Sequence, residues 1–156
     1  MDAETVDYIA VRRLQDAYAD IVTRRAWPEL ADIFLPDLRL TLDRRTLEPL
    51  VLHGPAAIGD FIGQAIGGLD FFEFVILTSV VTLGHGGDGN VAVARMYMNE
   101  LRHDATSGQW TTVYGVYHDV HRRIDGRWWF AARRYHTLAR TGRAMETFAF
   151  PEGDQW

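Results

Sequence analysis

Apolar and polar positions recur with two different periods along this chain, and the change falls near residue 70. Across residues 4–25, Val6, Ile9, Leu14, Tyr18, Ile21 and Val22 follow a helical repeat, which predicts a long amphipathic helix. Pro28 suits the first turn of a second, short helix over 28–35, with Leu30, Ile33 and Phe34 turned inward. The alternation in 38–43 predicts a strand, and 50–53 its partner across a turn at Arg44-Arg45. Gly54-Pro55 punctuates the chain, and 56–68 reads as a third helix closing at Gly67-Gly68.

From residue 71 the pattern is that of strands. Segments 71–83, 91–104, 110–124 and 127–139 are separated by turns at 84–90, 105–109 and Asp125-Gly126. The last of these is the strongest kind of hairpin signal. Three N-terminal helices with a small hairpin among them, followed by a meander, predict an α+β fold with helices on one face of a curved, mostly antiparallel sheet. One domain over 1–139 is expected, with 140–156 as a tail packing across it or a neighbour.

Composition narrows the chemistry. The chain has 156 residues, no cysteine and sixteen basic residues, all arginine. Disulfides, thiolate nucleophiles and cysteine-type zinc sites are excluded, as is Schiff-base chemistry on a side-chain amine. Formal net charge is −5, which argues against a nucleic-acid partner. No apolar run is long enough for a membrane, and the acidic start is unlike a signal peptide, so a cytoplasmic location is the expectation.

The Asp125-Gly126 turn sets a register for the last two strands. Uninterrupted pairing places Ile124 with Arg127, Arg122 with Trp129, Val120 with Ala131, His118 with Arg133, and Val116 with Tyr135. That face is expected to floor a pocket, apolar with a His118–Arg133 pair in its middle. The alternative is that both residues pair with carboxylates in a structural network. The same register turns Tyr117, Asp119, His121, Phe130, Arg134 and His136 to the opposite, outer face, where His121 and His136 beside Phe130 and Tyr117 are read as an oligomer contact. Strand neighbours alternate sides, so His118 and His121 point apart and no metal site is expected.

Three passages together resemble a known family: LQDAYADIVTRRAWPELADIFLPD, HGPAAIGDFI and GVYHDVHRRIDGRWWFAARR. The chain is similar, over about residues 6–139, to SnoaL-like proteins of the ketosteroid-isomerase-like cone fold, in the nuclear-transport-factor-2-like superfamily. The resemblance implies a cone-shaped α+β barrel, a deep pocket between sheet and helices, and frequent homo-oligomers. It also implies cofactor-free cyclases, dehydratases, dehydrochlorinases, epoxide hydrolases or isomerases among the relatives. Tyr18 and Arg133 match positions used by catalytic relatives, and Asn99 falls where some keep an acid or amide. The usual Asp position holds Thr23, and 73–76, where a catalytic histidine is expected, has none.

With that pair missing, His118 is the candidate base, since an imidazole titrates near about 6.5 and a neighbouring guanidinium favours its neutral form. Arg133 is the candidate stabiliser of an oxyanion. Tyr18 and Tyr97 are candidate hydrogen-bond donors, or core aromatics with satisfied hydroxyls. Glu73 is a second candidate base, with pairing to Arg95 or Arg133 as the alternative. Thr23, Asn99, Val116 and Tyr135 complete the expected ligand contacts. Two functions follow: a cofactor-free lyase, isomerase or cyclase acting on an apolar oxygenated molecule, or a non-catalytic cone that binds a ligand or partner. A homodimer or higher homo-oligomer is expected. A third reading, the small subunit of a ring-hydroxylating dioxygenase, suits the fold but not the chain's shortness.

Overall fold

A computed structural model describes residues 1–142 and 144–156. Two α-helices, α1 (Ala3–Arg24) and α2 (Pro55–Ala65), accompany seven strands: β1 (Phe34–Arg44), β2 (Leu47–His53), β3 (Leu69–Leu83), β4 (Val91–Asp104), β5 (Trp110–Ile124), β6 (Arg127–Arg140) and β7 (Glu146–Thr147). Asp2 caps α1 by accepting from the Thr5 amide at 2.7 Å. The helix stops where Arg25 turns left-handed at φ 59° and returns its N–H to the Ile21 and Val22 carbonyls. Its buried stripe runs through Val11, Leu14, Tyr18, Ile21 and Val22. No helix among the described residues is long and apolar enough to cross a membrane.

The short helix expected over 28–35 is a 3-10 helix, Trp27–Asp32, and Phe34 already belongs to β1. Phe34 pairs with Phe130 of β6, and that pairing draws the chain extended where local spacing favoured a helix. The sheet runs β2-β1-β6-β5-β4-β3, with β7 added to β6. All pairings are antiparallel except β1 with β6. The curved sheet does not close, and α1 lies in its concavity over Phe34, Phe74, Met96, Met98 and Phe130.

The hairpin turn forms as expected, with Asp125 at φ 50° and Gly126 at φ 78°. Ile124 pairs with Arg127 and Arg122 with Trp129. Beyond His121–Phe130, Ala131 is an extra residue in β6 and the register shifts by one. Val120 pairs with Ala132, His118 with Arg134, and Val116 with His136. The expected pairs Val120–Ala131, His118–Arg133 and Val116–Tyr135 are therefore corrected. A one-residue β-bulge flips every later side chain to the other face. Arg133 stands opposite Asp119, and Tyr135 opposite Tyr117.

Candidate functional site

The bulge decides what faces the concavity. On β5, alternation turns Tyr117, Asp119 and His121 inward, all buried, and His118 and Val116 outward. On β6, Arg133 and Tyr135 turn inward with Phe130. The faces assigned from sequence to Tyr117, Asp119, His121 and Phe130 are thus reversed.

Arg133 sits at the centre of this inner face. Its Nε donates to Asp119 Oδ1 at 2.7 Å and its second nitrogen to Oδ2 at 3.2 Å. Its guanidinium carbon lies 4.0 Å from the ring centres of both Tyr18 and Tyr117, and 4.5 Å from that of Phe130. Burial opposes the Arg133 charge, but Asp119 and the two phenols outweigh it and raise its pKa. Burial pushes the Asp119 carboxyl up, against the pull of that guanidinium. The pairing with a carboxylate, the alternative to a catalytic pair with His118, is the arrangement found for Arg133.

The hydroxyls of Tyr18 and Tyr117 approach to 3.4 Å. Burial raises the pKa of both, and pushes that of Tyr135 up to about 12. All three phenols are protonated donors near neutral pH. Tyr135 leans across Gly115, where an added Cβ would lie 2.4 Å from its ring. Glycine there makes room for the tyrosine.

Tyr117 and Tyr135 wall a cavity of about 250 Å³ between α2 and strands β1, β4 and β6. Leu40, Leu42, Leu50, Phe61, Ile62 and Ile66 supply its apolar lining. Asp43, Arg44, Glu100 and Arg102 supply charge. Arg102 Nε donates to Glu100 Oε2 at 2.9 Å, and Oε1 accepts no hydrogen bond among the described residues.

Of the residues singled out from sequence, only Tyr135 lines this cavity; Tyr18 and Arg133 stand directly behind Tyr117. Thr23 Oγ1 is occupied by the Phe74 amide at 3.0 Å. Glu73 pairs across from Leu101 on the outer face and is exposed, with no ion pair to Arg95 or Arg133. Tyr97 is also outward, 6.3 Å from Phe150. Asn99 is buried and donates to Thr112 Oγ1. His118 and Arg133 do not meet: the imidazole packs against Trp156 and His136 on the convex side. Sequence reading passed over Glu100 and Arg102, and set Tyr117 on the outer face. The signal for the first two was present in NELRHD, where i and i+2 on a strand share a face.

Solved structures with the same fold are numerous. A scytalone dehydratase candidate from Novosphingobium aromaticivorans superposes with TM-score 0.77 at 18% identity, covering 96% of this chain and 97% of its own. A hexachlorocyclohexane dehydrochlorinase, LinA-type3 from Novosphingobium barchaimii LL02, gives 0.78 at 17%, covering 95% and 97%. An NTF2-like protein with a cystatin-like fold from Novosphingobium aromaticivorans gives 0.70 at 19%, covering 86% and 83%. At such identities the likeness shows the fold alone. No curated protein matches the sequence. Residues 3–134 match the SnoaL-like domain, and the chain belongs to that family.

Proposed function

We propose that the protein takes a small apolar molecule bearing a carbonyl oxygen into the cavity beside α2 and moves a proton on it without a cofactor, as a dehydratase or isomerase. One observation carries this reading: a carboxylate with an unoccupied oxygen and two neutral phenols wall the same apolar hollow. Glu100 Oε1 takes a proton from the carbon next to the carbonyl. The electron pair moves onto the carbonyl oxygen, where Tyr117 donates a hydrogen bond. Tyr18 and the Arg133 charge behind Tyr117 support that donor. The pair then returns, and the proton now held by Glu100 goes either to a carbon conjugated with the enolate through a double bond, giving an isomer, or to a β-hydroxyl, which leaves as water. The dehydratase and dehydrochlorinase names of two structural neighbours support an elimination.

Deuterium exchange tests it. Ketones and β-hydroxyketones are incubated with the protein in heavy water and followed by NMR. Exchange at the carbon next to the carbonyl is expected for bound compounds, and Glu100→Gln is expected to slow it by about 10²-fold or more. Full exchange in that variant would remove Glu100 as the base. A second reading, binding without turnover, is favoured by one observation: Tyr18, Phe34, Phe74 and Phe130 fill the depth of the concavity, and Phe74 occupies the Thr23 hydroxyl. It predicts bound compounds and no exchange.

A further inference from the structure

The convex face of the sheet carries a feature unrelated to the cavity. Cross-strand pairing sets Arg95, His118 and Arg134 side by side on β4, β5 and β6, with Thr41 of β1 beside Arg134. Arg39 lies one step further along β1, opposite Ala132. In a chain of net charge −5, none of these arginines forms an ion pair among the described residues, whereas Arg24, Arg102, Arg123, Arg133 and Arg140 each hold a carboxylate. Like charges across adjacent strands repel.

The C-terminal segment crosses this row. Phe150 stands 5.9 Å and Trp156 5.0 Å from the His118 ring. Between segment and sheet lies a cavity of about 80 Å³, lined by Arg39, Thr41, His118, Arg134, Gln155 and Trp156. His118 is only 5% exposed, yet its Nδ1 meets no partner among the described residues. Burial, then His136, Arg95 and Arg134, bring its pKa down to about 4, so the ring is neutral at pH 7 and keeps one N–H. Asp43 acts on His136, its carboxylate 3.8 Å from Arg45. Glu152 and Asp154 of the crossing segment are exposed and form no ion pair with the row.

We propose that this cavity binds a small oxyanion, a carboxylate or phosphate group, held by the Arg39 and Arg134 guanidiniums, the Thr41 hydroxyl and the His118 imidazole, with Gln155 and Trp156 closing over it. Two guanidiniums, a hydroxyl and an imidazole N–H offer converging donors, the complement of an oxyanion. The volume admits one such group, so a larger ligand would enter by its acidic end.

NMR titration of the full chain with sodium phosphate and, separately, sodium acetate at constant ionic strength tests the site. His118 ring signals are expected to shift saturably, with the ring's pKa rising from about 4 as the anion favours its protonated form. Arg39→Gln and Arg134→Gln are each expected to weaken binding about tenfold, the worth of one charge-assisted hydrogen bond. Arg13→Gln, an exposed arginine on α1, serves as the charge control and is expected to change nothing. Saturation by acetate alone assigns a carboxylate, and by phosphate alone a phosphate group. No saturable shift with either anion overturns the proposal, as does an equal loss of affinity in Arg13→Gln.

Discussion

Arg133 and Asp119 are buried with side chains 1% and 0% exposed, and each depends on the other for its charge. Removing one partner strands the other. Asp119→Ala is expected to destabilise the fold by about 3–5 kcal/mol, read from urea denaturation at pH 7. The double replacement Asp119→Leu with Arg133→Met removes both charges, and is expected to recover most of that loss. Equal losses in single and double variants would show that the pair's value is not mutual compensation. The sequence made Arg133 legible as an inward residue but gave it the wrong partner. Nothing local distinguishes Asp119 from His118, because which of two adjacent side chains faces inward depends on register alone.

That register is an element-scale property, and it was half readable. The Asp125-Gly126 turn demands positive φ at both central residues, and both adopt it. Gly126→Ala is expected to cost about 1 kcal/mol, seen as a lower urea midpoint with an unchanged slope, since a Cβ in left-handed backbone is strained. A shift of the midpoint upward would contradict the turn assignment. The bulge five residues later left no trace in the pattern. Ala131 and Ala132 are both small and apolar, so neither marks which one points inward. The strands themselves were legible because long alternating runs between turn residues leave few other options. The short helix read over 28–35 forms only as the 3-10 segment Trp27–Asp32, and its early end is not legible in the sequence because the competing pull, Phe34 onto Phe130, is nonlocal. Glu100 was legible only as a strand residue; that α2 closes a cavity over it is set by packing between distant segments.

At the scale of the whole molecule, buried histidines tie stability to pH. His121 is fully buried against Phe130, its ring 4.6 Å away, and neither ring nitrogen has a partner among the described residues. Burial, then the Arg133 charge, brings its pKa down to about 3, against the pull of the nearby Ala92 backbone. In the unfolded chain the same ring takes a proton below about pH 6.5. Between those values the unfolded state binds the extra proton, so stability falls as pH falls, by at most about 1.4 kcal/mol per pH unit for this ring. His118, with its pKa near 4, adds the same sign over pH 6.5 to 4. Asp119 acts oppositely in acid, because burial raises its pKa and the folded state then holds the proton more tightly. Urea denaturation at pH 7.5, 6 and 5 is therefore expected to show declining stability, and His121→Leu isolates the buried ring. At pH 7.5 that variant is expected to lie within about 1 kcal/mol of the parent, since the ring loses at most its approach to the Ala92 backbone and an apolar side chain suits the site. Its stability is expected to decline less steeply between pH 6 and 5. An unchanged slope in His121→Leu would mean that the imidazole is reached by solvent, and that the packing around it opens more readily than its burial implies.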